Sequence, residues 1–423
     1  MRILIVNTSE KTGGAALASN RLVEALNRFG IETKMLVKDK ETNNVNVVSM
    51  PHSARKCLHF LWERWCIFWH LHLSKKCLFA IDIANIGTDI TQLPVFKQAD
   101  VIHLEWINQG TLSLKNIQQI IDSGKPIVWT MHDIWPATAI CHLSLTCQRF
   151  KQQCGCCYYL PNGGYEHDLS YKVWLRKYKV YGGGNIAFVA CSHWLGNQAK
   201  QSGLLKNSFV TTIPNPIDTH VFAPKSREGA AHRLGLPTDK KLILFASQRI
   251  TNVNKGISYL IEACRLLVEA HLSYKDKVAL VVLGGHADEM QYAFNFPTYP
   301  LGYVNDTQKI VDVYNAVDMF VLPSLSENLP NTIMEAMSCG VPCVGFDVGG
   351  IPEMIEHKVT GFVAKYTDAQ SLAEGIQWVL SEDTNYAELS RQCIEKVQRE
   401  YSQQSVVQRY MEVYRRVMER KKK

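Results

Sequence analysis

Short apolar runs alternate with helical stripes from the first residues of the chain. Residues 3–6 are continuously apolar, as a strand buried on both faces requires. Residues 7–14 are polar and end in Gly13-Gly14. Over 15–29 the apolar positions change to helical spacing, with Leu22, Leu26 and Phe29 on one face, and Gly30 ends the pattern. Residues 34–37 predict a second strand. Residues 101–104, 127–129 and 186–190 predict three more, with a helix over 114–121. Strands that alternate with helices predict a parallel sheet covered on both faces.

Residues 213–224 (IPNPIDTHVFAP) break this rhythm, because three prolines without periodicity suit a linker. A second unit follows. Its strands are predicted at 241–246, 278–283, 319–322 and 341–345, and its helices at 257–267, 332–339, 371–380 and 403–416. The chain therefore reads as an α/β protein of two Rossmann-like domains, each with a parallel sheet. The predicted limits are an N-terminal domain over 1–213, a linker over 214–224, a C-terminal domain over 225–400 and a last helical segment over 401–423.

Composition narrows this little. A length of 423 residues allows two or three domains. With 46% hydrophobic and 20% charged residues, the chain is neither disordered nor fibrous. The net charge of +7 permits an anionic ligand or an anionic membrane surface and does not call for nucleic acid. The opening MRILIVNTSEKTGG lacks the apolar core of a secretory signal, so a cytoplasmic, reducing location is expected. There the thirteen cysteines are expected as thiols or metal ligands rather than disulfides. No run approaches the roughly 18 apolar residues that a membrane-spanning helix needs.

Candidate chemistry gathers at predicted strand ends. Gly13 and Gly14 stand between a strand and a helix, where backbone N–H groups and the helix dipole attract anions. The same glycines also suit a plain tight turn. Their spacing is not G-x-G-x-x-G, which argues against a nicotinamide dehydrogenase. In the second half, PSLSENLPNTIMEAMSCG carries Glu327 on a loop and Glu335 in the predicted first turn of a helix. Carboxylates so placed can accept hydrogen bonds from a polyhydroxylated ligand, and the helix start suits phosphate. Thr332 and Glu335 also fit a capping box. Arg249 and Lys255 follow the predicted strand 241–246, where α/β folds bind ligands, and could neutralise a diphosphate.

The pattern E-x7-E, followed by C-G-V-P and D-V-G-G-I-P-E, resembles the retaining glycosyltransferases of family 4, which have the GT-B fold. The Arg249/Lys255 pair, the Gly13-Gly14 loop and P-N-P-I-D-T-H-V-F resemble their counterparts there. The resemblance implies two domains facing a cleft, with the last helices crossing back to the first domain. It implies transfer of a sugar from a nucleotide-diphosphate donor without an obligate metal. By the same resemblance Arg249 and Lys255 hold the diphosphate, and Glu335 accepts from the ribose hydroxyls. Glu327 and the backbone of Asn328, Leu329, Pro330 and Asn331 hold the donor sugar. Gly13 and Gly14 face the donor phosphate and the acceptor. Asn328-Leu329-Pro330 departs from the Pro-Phe-Gly of many members, which leaves the donor sugar open.

In VWTMHD, His132 projects from a strand end, and the family places a donor-contacting histidine similarly. Asp133 is expected to orient it. His103 and Glu105 are weaker candidates for contacting the acceptor. Cys141, Cys147, Cys154 and Cys157 (C-x5-C-x6-C-x2-C) suggest a structural zinc, with packed thiols as the alternative. This run also resembles a subgroup that makes exopolysaccharide, O-antigen or colanic-acid-type sugars, so a glycan or lipid-linked acceptor is expected. Residues 55–80 place Phe60, Trp62, Trp65, Phe68 and Trp69 among Arg55, Lys56, Arg64, Lys75 and Lys76. That suits an anionic membrane surface at its inner face, or a helix packed on the domain core. The rival functions are a GT-B epimerase or hydrolase of nucleotide sugars and a non-catalytic sugar-nucleotide-binding protein.

Overall fold

Period-2 alternation decides how the first apolar run is used. The structure, a computed structural model, describes residues 1–51 and 53–420, without the side chains of 53–56 and 420. The side chains of Arg55 and Lys56 and the basic tail at 421–423 thus lie outside the described residues. The chain divides into two compact units. Unit 1 is Met1–Pro216 together with Val406–Lys423, and unit 2 is Ile217–Ser405.

Unit 1 runs β1 (Arg2–Ser9), α1 (Gly14–Arg28), β2 (Glu32–Asp39), β3 (Val47–Ser49), α2 (Ser53–His70), α3 (Pro94–Gln98), β4 (Val101–Leu104), α4 (Leu114–Asp122), β5 (Ile127–Met131), α5 (Leu169–Gly182), β6 (Ile186–Ala190), α6 (His193–Gln201) and β7 (Phe209–Thr212). Its seven strands are parallel, in the order β3-β2-β1-β4-β5-β6-β7. Ile3 and Ile5 of β1 point to the face that also holds Leu22 and Leu26 of α1. Leu4 and Val6 point to the other, with Ile117 of α4. Each such fully buried side chain contributes about 1.5–3 kcal/mol.

Unit 2 runs α7 (Arg227–Leu234), β8 (Lys241–Arg249), α8 (Ile257–Ala270), α9 (Tyr274–Lys277), β9 (Val278–Gly285), β10 (Thr298–Gly302), α10 (Thr307–Ala316), β11 (Met319–Leu322), α11 (Asn331–Ser338), β12 (Cys343–Phe346), α12 (Ile351–Met354), β13 (Gly361–Ala364), α13 (Ala369–Leu380) and α14 (Tyr386–Glu400). Its sheet is also parallel, in the order β10-β9-β8-β11-β12-β13. Ile243, Leu280, Val321 and Val344 pack there on Leu260, Leu267, Leu372 and Ile376. The last helix, α15 (Gln403–Arg420), gives Val406, Tyr410, Val413, Tyr414 and Val417 to the unit 1 face that holds Ile3 and Ile5.

Three boundaries differ from expectation in ways that matter for the site. β5 runs two residues beyond 129, so His132 directly follows the strand. β8 continues through an irregularity between Ala246 and Arg249, which makes Arg249 its last residue. α11 begins at Asn331 after Pro330, and no side chain caps it. The Thr332–Glu335 capping box is therefore not formed, and Glu335 sits in the second turn. The edge strands β7 and β10, half-buried throughout, escape a pattern that searches for buried runs.

Candidate active site

In unit 2, close backbone approach builds the site. Gly256 has φ +68°, and a Cβ there would lie 1.8 Å from the Pro323 carbonyl oxygen. Only glycine fits so tight a contact. The Leu325 N–H donates to the Asn254 carbonyl at 2.8 Å, which fastens the turn before α8 to the loop after β11. From the other side Gly349 (φ +60°) would put a Cβ 1.7 Å from the Glu327 carbonyl oxygen. So held, Lys255 and Glu327 form an ion pair, their side chains 29% and 12% exposed. Arg249 is exposed at the end of β8 and has no acidic partner among the described residues.

The structure thus brings Lys255 and Glu327 together. Glu335 is placed differently, buried, with its Oε2 accepting from the Tyr314 hydroxyl at 2.9 Å. Asn328 is partly exposed, Leu329 and Pro330 are buried, and Asn331 opens α11. A cation, a carboxylate and a helix start at the C-terminal edge of a parallel sheet can bind a diphosphate beside hydroxyl groups.

In unit 1, three adjacent parallel strands each deliver one residue just past their last. Glu105 follows β4, His132 follows β5 and Cys191 follows β6. His132 Nε2 donates to Glu105 Oε2 at 2.5 Å, and its Nδ1 lies 3.6 Å from Cys191 Sγ. The Cys191 thiol donates to Asn215 Oδ1 at 3.2 Å. Burial disfavours the imidazolium, but Cys191 and Glu105 outweigh it and hold the His132 pKa well above its ordinary value.

Two expectations are corrected here. Asp133 does not orient His132. It accepts from His142 Nδ1 at 2.8 Å and Trp106 Nε1 at 3.0 Å. His103 is fully buried, with its ring nitrogens taken by the Tyr414 hydroxyl and Thr130 Oγ1, both at 2.7 Å. Burial pulls its pKa down to about 4, and with no exposed surface and both nitrogens paired the ring is not presented to an acceptor. Tyr410 bonds Thr130 in turn at 2.8 Å, so α15 backs the whole group.

Cys191 was legible as the residue after a predicted strand. Asn215 carried no signal beyond the linker. Buried Lys177 was also missed. Its ammonium donates to the Trp135 and Thr138 carbonyls at 2.7 and 3.0 Å, fixing the segment after Asp133. Burial pulls its pKa down to about 7.

Gly13 is the N-cap of α1, with φ +94° and nothing within 4 Å of a Cβ position. Its backbone angle, not crowding, calls for glycine, and the helix start with Gly14 is exposed. All thirteen cysteines are free. Burial holds the thiols of Cys141, Cys154 and Cys157 up at about 12. Cys147 is half-buried beside them. Among the described residues no three His, Cys, Asp or Glu side chains are set to hold a metal, so the four form no ready zinc site.

Residues 226–400 match the family model described as glycosyl transferases group 1. An uncharacterized glycosyltransferase of Methanocaldococcus jannaschii is 32% identical over 427 residues, covering 96% of this chain and 95% of that one. A D-inositol 3-phosphate glycosyltransferase of Saccharomonospora viridis is 29% identical, covering 49% of this chain and 50% of that protein. The UDP-Gal:alpha-D-GlcNAc-diphosphoundecaprenol alpha-1,3-galactosyltransferase of Escherichia coli is 28% identical, covering 44% and 49%. The chain spans about half the length of each of these two relatives. Among solved structures, sucrose-phosphate synthase from Thermosynechococcus elongatus is similar with a TM-score of 0.67 at 16% identity, covering 99% of both chains. Anabaena HepE in complex with UDP is similar with a TM-score of 0.62 at 17% identity, covering 98% and 99%. At such identities the likeness shows the fold, which is GT-B. Given the near full-length relative and the family match over unit 2, the chain belongs to the group 1 glycosyltransferases.

Proposed function

We propose that this chain transfers a hexosyl group, with retention, from a nucleoside-diphosphate sugar to a growing glycan on a lipid carrier. The setting is surface polysaccharide synthesis, of the exopolysaccharide or O-antigen kind, at the cytoplasmic face of the membrane. The observation that carries the reading is the Lys255–Glu327 pair, fastened by two close glycine contacts inside the segment that matches the family. The Escherichia coli relative, whose name gives a diphosphoundecaprenol-linked acceptor, supports the lipid carrier. HepE in complex with UDP supports a nucleotide donor.

In this reading Arg249 and Lys255 take the charge that develops on the departing diphosphate. Lys255, neutralised by Glu327 beforehand, is released to the diphosphate as Glu327 turns to the sugar hydroxyls. Asn328, Leu329, Pro330 and Asn331 lend backbone groups to the sugar. Glu335 takes the ribose hydroxyls by exchanging its Tyr314 bond. Gly13 and Gly14 present the start of α1 to phosphate and acceptor. His132, kept cationic by Glu105 and Cys191, contacts the donor sugar.

A thermal-shift screen of UDP, GDP, ADP and their sugars tests the donor. One nucleotide is expected to raise the melting temperature, because a ligand at 100 times its Kd adds about 2.7 kcal/mol to the folded state. No stabilisation by any nucleoside diphosphate overturns the reading.

Structural zinc on Cys141, Cys147, Cys154 and Cys157 is a separate proposal. The Cys154-x-x-Cys157 spacing supports it, and the loop would have to draw its thiols together to bind. Metal analysis of the purified protein is expected to give one zinc per chain. Trace zinc, with an unchanged melting temperature for Cys154→Ser, overturns it.

A further inference from the structure

A helix at the surface of a domain ordinarily turns its apolar stripe inward and its charges outward. α2 departs from this on both faces, burying charges beside Ile67 and leaving a large apolar stripe outside. Glu63 and Arg64 point into unit 1, 0% and 6% exposed. The Arg64 guanidinium donates to Asp82 at 2.9 Å and to the Leu78 carbonyl at 2.7 Å. The Glu63 carboxylate accepts the Ala84 N–H at 2.7 Å. Gly110 (φ +73°) presses on the helix so closely that a Cβ there would lie 2.7 Å from the His59 carbonyl carbon. Rolling the helix over would carry Glu63 and Arg64 into water and leave Asp82 buried without its cation, a strongly unfavourable change.

The outer face is therefore fixed. It carries Leu58, Leu61, Trp62, Trp65 and Trp69, each between 53% and 63% exposed, with Leu58, Trp62, Trp65 and Trp69 at intervals of three or four residues and Leu61 beside them. In the segment after the helix Leu73 and Phe79 are also exposed, 56% and 62%. From residue 57 to residue 88 the only acids are Glu63 and Asp82, and both are buried. The exposed cations of this stretch are Lys75 and Lys76. No described helix is long and apolar enough to cross a membrane.

We propose that the outer face of α2 docks flat on an anionic lipid bilayer. The leucines and tryptophans enter the headgroup boundary, where indole is favoured, and Lys75 and Lys76 meet lipid phosphates. A second copy docked stripe to stripe would bring these lysines no acid from this segment, whereas an anionic leaflet supplies the complementary charge. The proposal deepens the lipid-carrier reading, on which it rests, by naming the surface that reaches the carrier's membrane.

Flotation of the full chain with phosphatidylcholine vesicles, with and without phosphatidylglycerol, tests it in the absence of sugars. The chain is expected to float with the anionic vesicles at low salt. The triple variant Trp62→Ser, Trp65→Ser, Trp69→Ser is expected to lose about tenfold in bound fraction at an unchanged melting temperature, since these side chains already face solvent. Lys75→Glu with Lys76→Glu is expected to abolish the preference for phosphatidylglycerol. Absence of vesicle binding, or equal binding by the triple variant, overturns the proposal. So does a dimer in sedimentation that the triple variant dissolves while vesicles bind nothing. The triple variant is expected to keep its stabilisation by nucleotide, so failure here and failure of the transfer reading are told apart.

Discussion

Glu105→Gln is expected to lower the turnover number of sugar transfer about a hundredfold while the Kd for the nucleotide stays within about threefold. The amide cannot give His132 the charged acceptor that Glu105 Oε2 provides at 2.5 Å, and a hydrogen bond to a charged group is worth about 1.5–3 kcal/mol. The pH profile separates orientation from mere packing. Glu105 and Cys191 keep His132 protonated above its ordinary range. Any step that needs the imidazolium therefore persists as pH rises past about 6.5 and fails only at the raised pKa. In Glu105→Gln that alkaline limb moves down toward 6.5. Stability follows the same sign. The contribution of the paired imidazolium is fully present below the unfolded pKa and is lost as pH climbs through the folded one. Asp133→Asn should leave the limb in place, because Asp133 serves His142 and Trp106. A Glu105→Gln enzyme with the parental turnover and pH limb would show that the carboxylate only packs.

Lys255→Ala is expected to lower kcat/KM about a thousandfold, in the range found when one preorganised group facing transition-state charge is removed. Folding stability should change by only about 1 kcal/mol, because the partly exposed ammonium is screened by water. Nucleotide stabilisation in the thermal-shift assay should fall as well, since the same cation faces the diphosphate before and during its departure. Glu327→Ala should lower kcat more than it weakens nucleotide binding. The double variant should cost less than the two single losses added, because the partners touch. Steady-state kinetics with the donor found by thermal shift checks all three. A Lys255→Ala enzyme with unchanged kcat/KM would remove Lys255 from the donor site.

How much of this was legible from sequence follows from what each residue depends on. The central strands Ile186–Ala190 and Met319–Leu322 are continuous apolar runs, Val101–Leu104 is broken only by His103, all three are buried throughout, and they were located to the residue. β7 and β10 lie at sheet edges, where half-burial admits Thr211, Thr212 and Pro300 and blurs the pattern. His132 was singled out because it follows a strand end and because the family places a histidine similarly. Its partner was misassigned to the adjacent Asp133 because strand order, which sets Glu105 beside it from 27 residues away, is a tertiary fact. The Lys255–Glu327 contact spans 72 residues and depends on the pairing of β8 with β11. The motif named the carboxylate, and the sheet supplied its partner. In α2 the aromatic stripe was visible, but whether it faces inward depends on Asp82, 18 residues beyond Arg64.

The return of α15 to unit 1 also has a consequence in time. Val406, Tyr410 and Tyr414 cover Ile3, Ile5 and Val128, yet they are made only after the whole of unit 2. The strands of unit 1 therefore emerge with one face of their sheet covered only in part, by α1, and stay so while the whole of Ile217–Ser405 is synthesised. Nascent domains generally fold as units while they emerge, and exposed apolar sheet is their main hazard. Here unit 1 is completed only after unit 2 has been made, so a premature stop before Val406 would damage unit 1 while leaving Ile217–Ser405 whole.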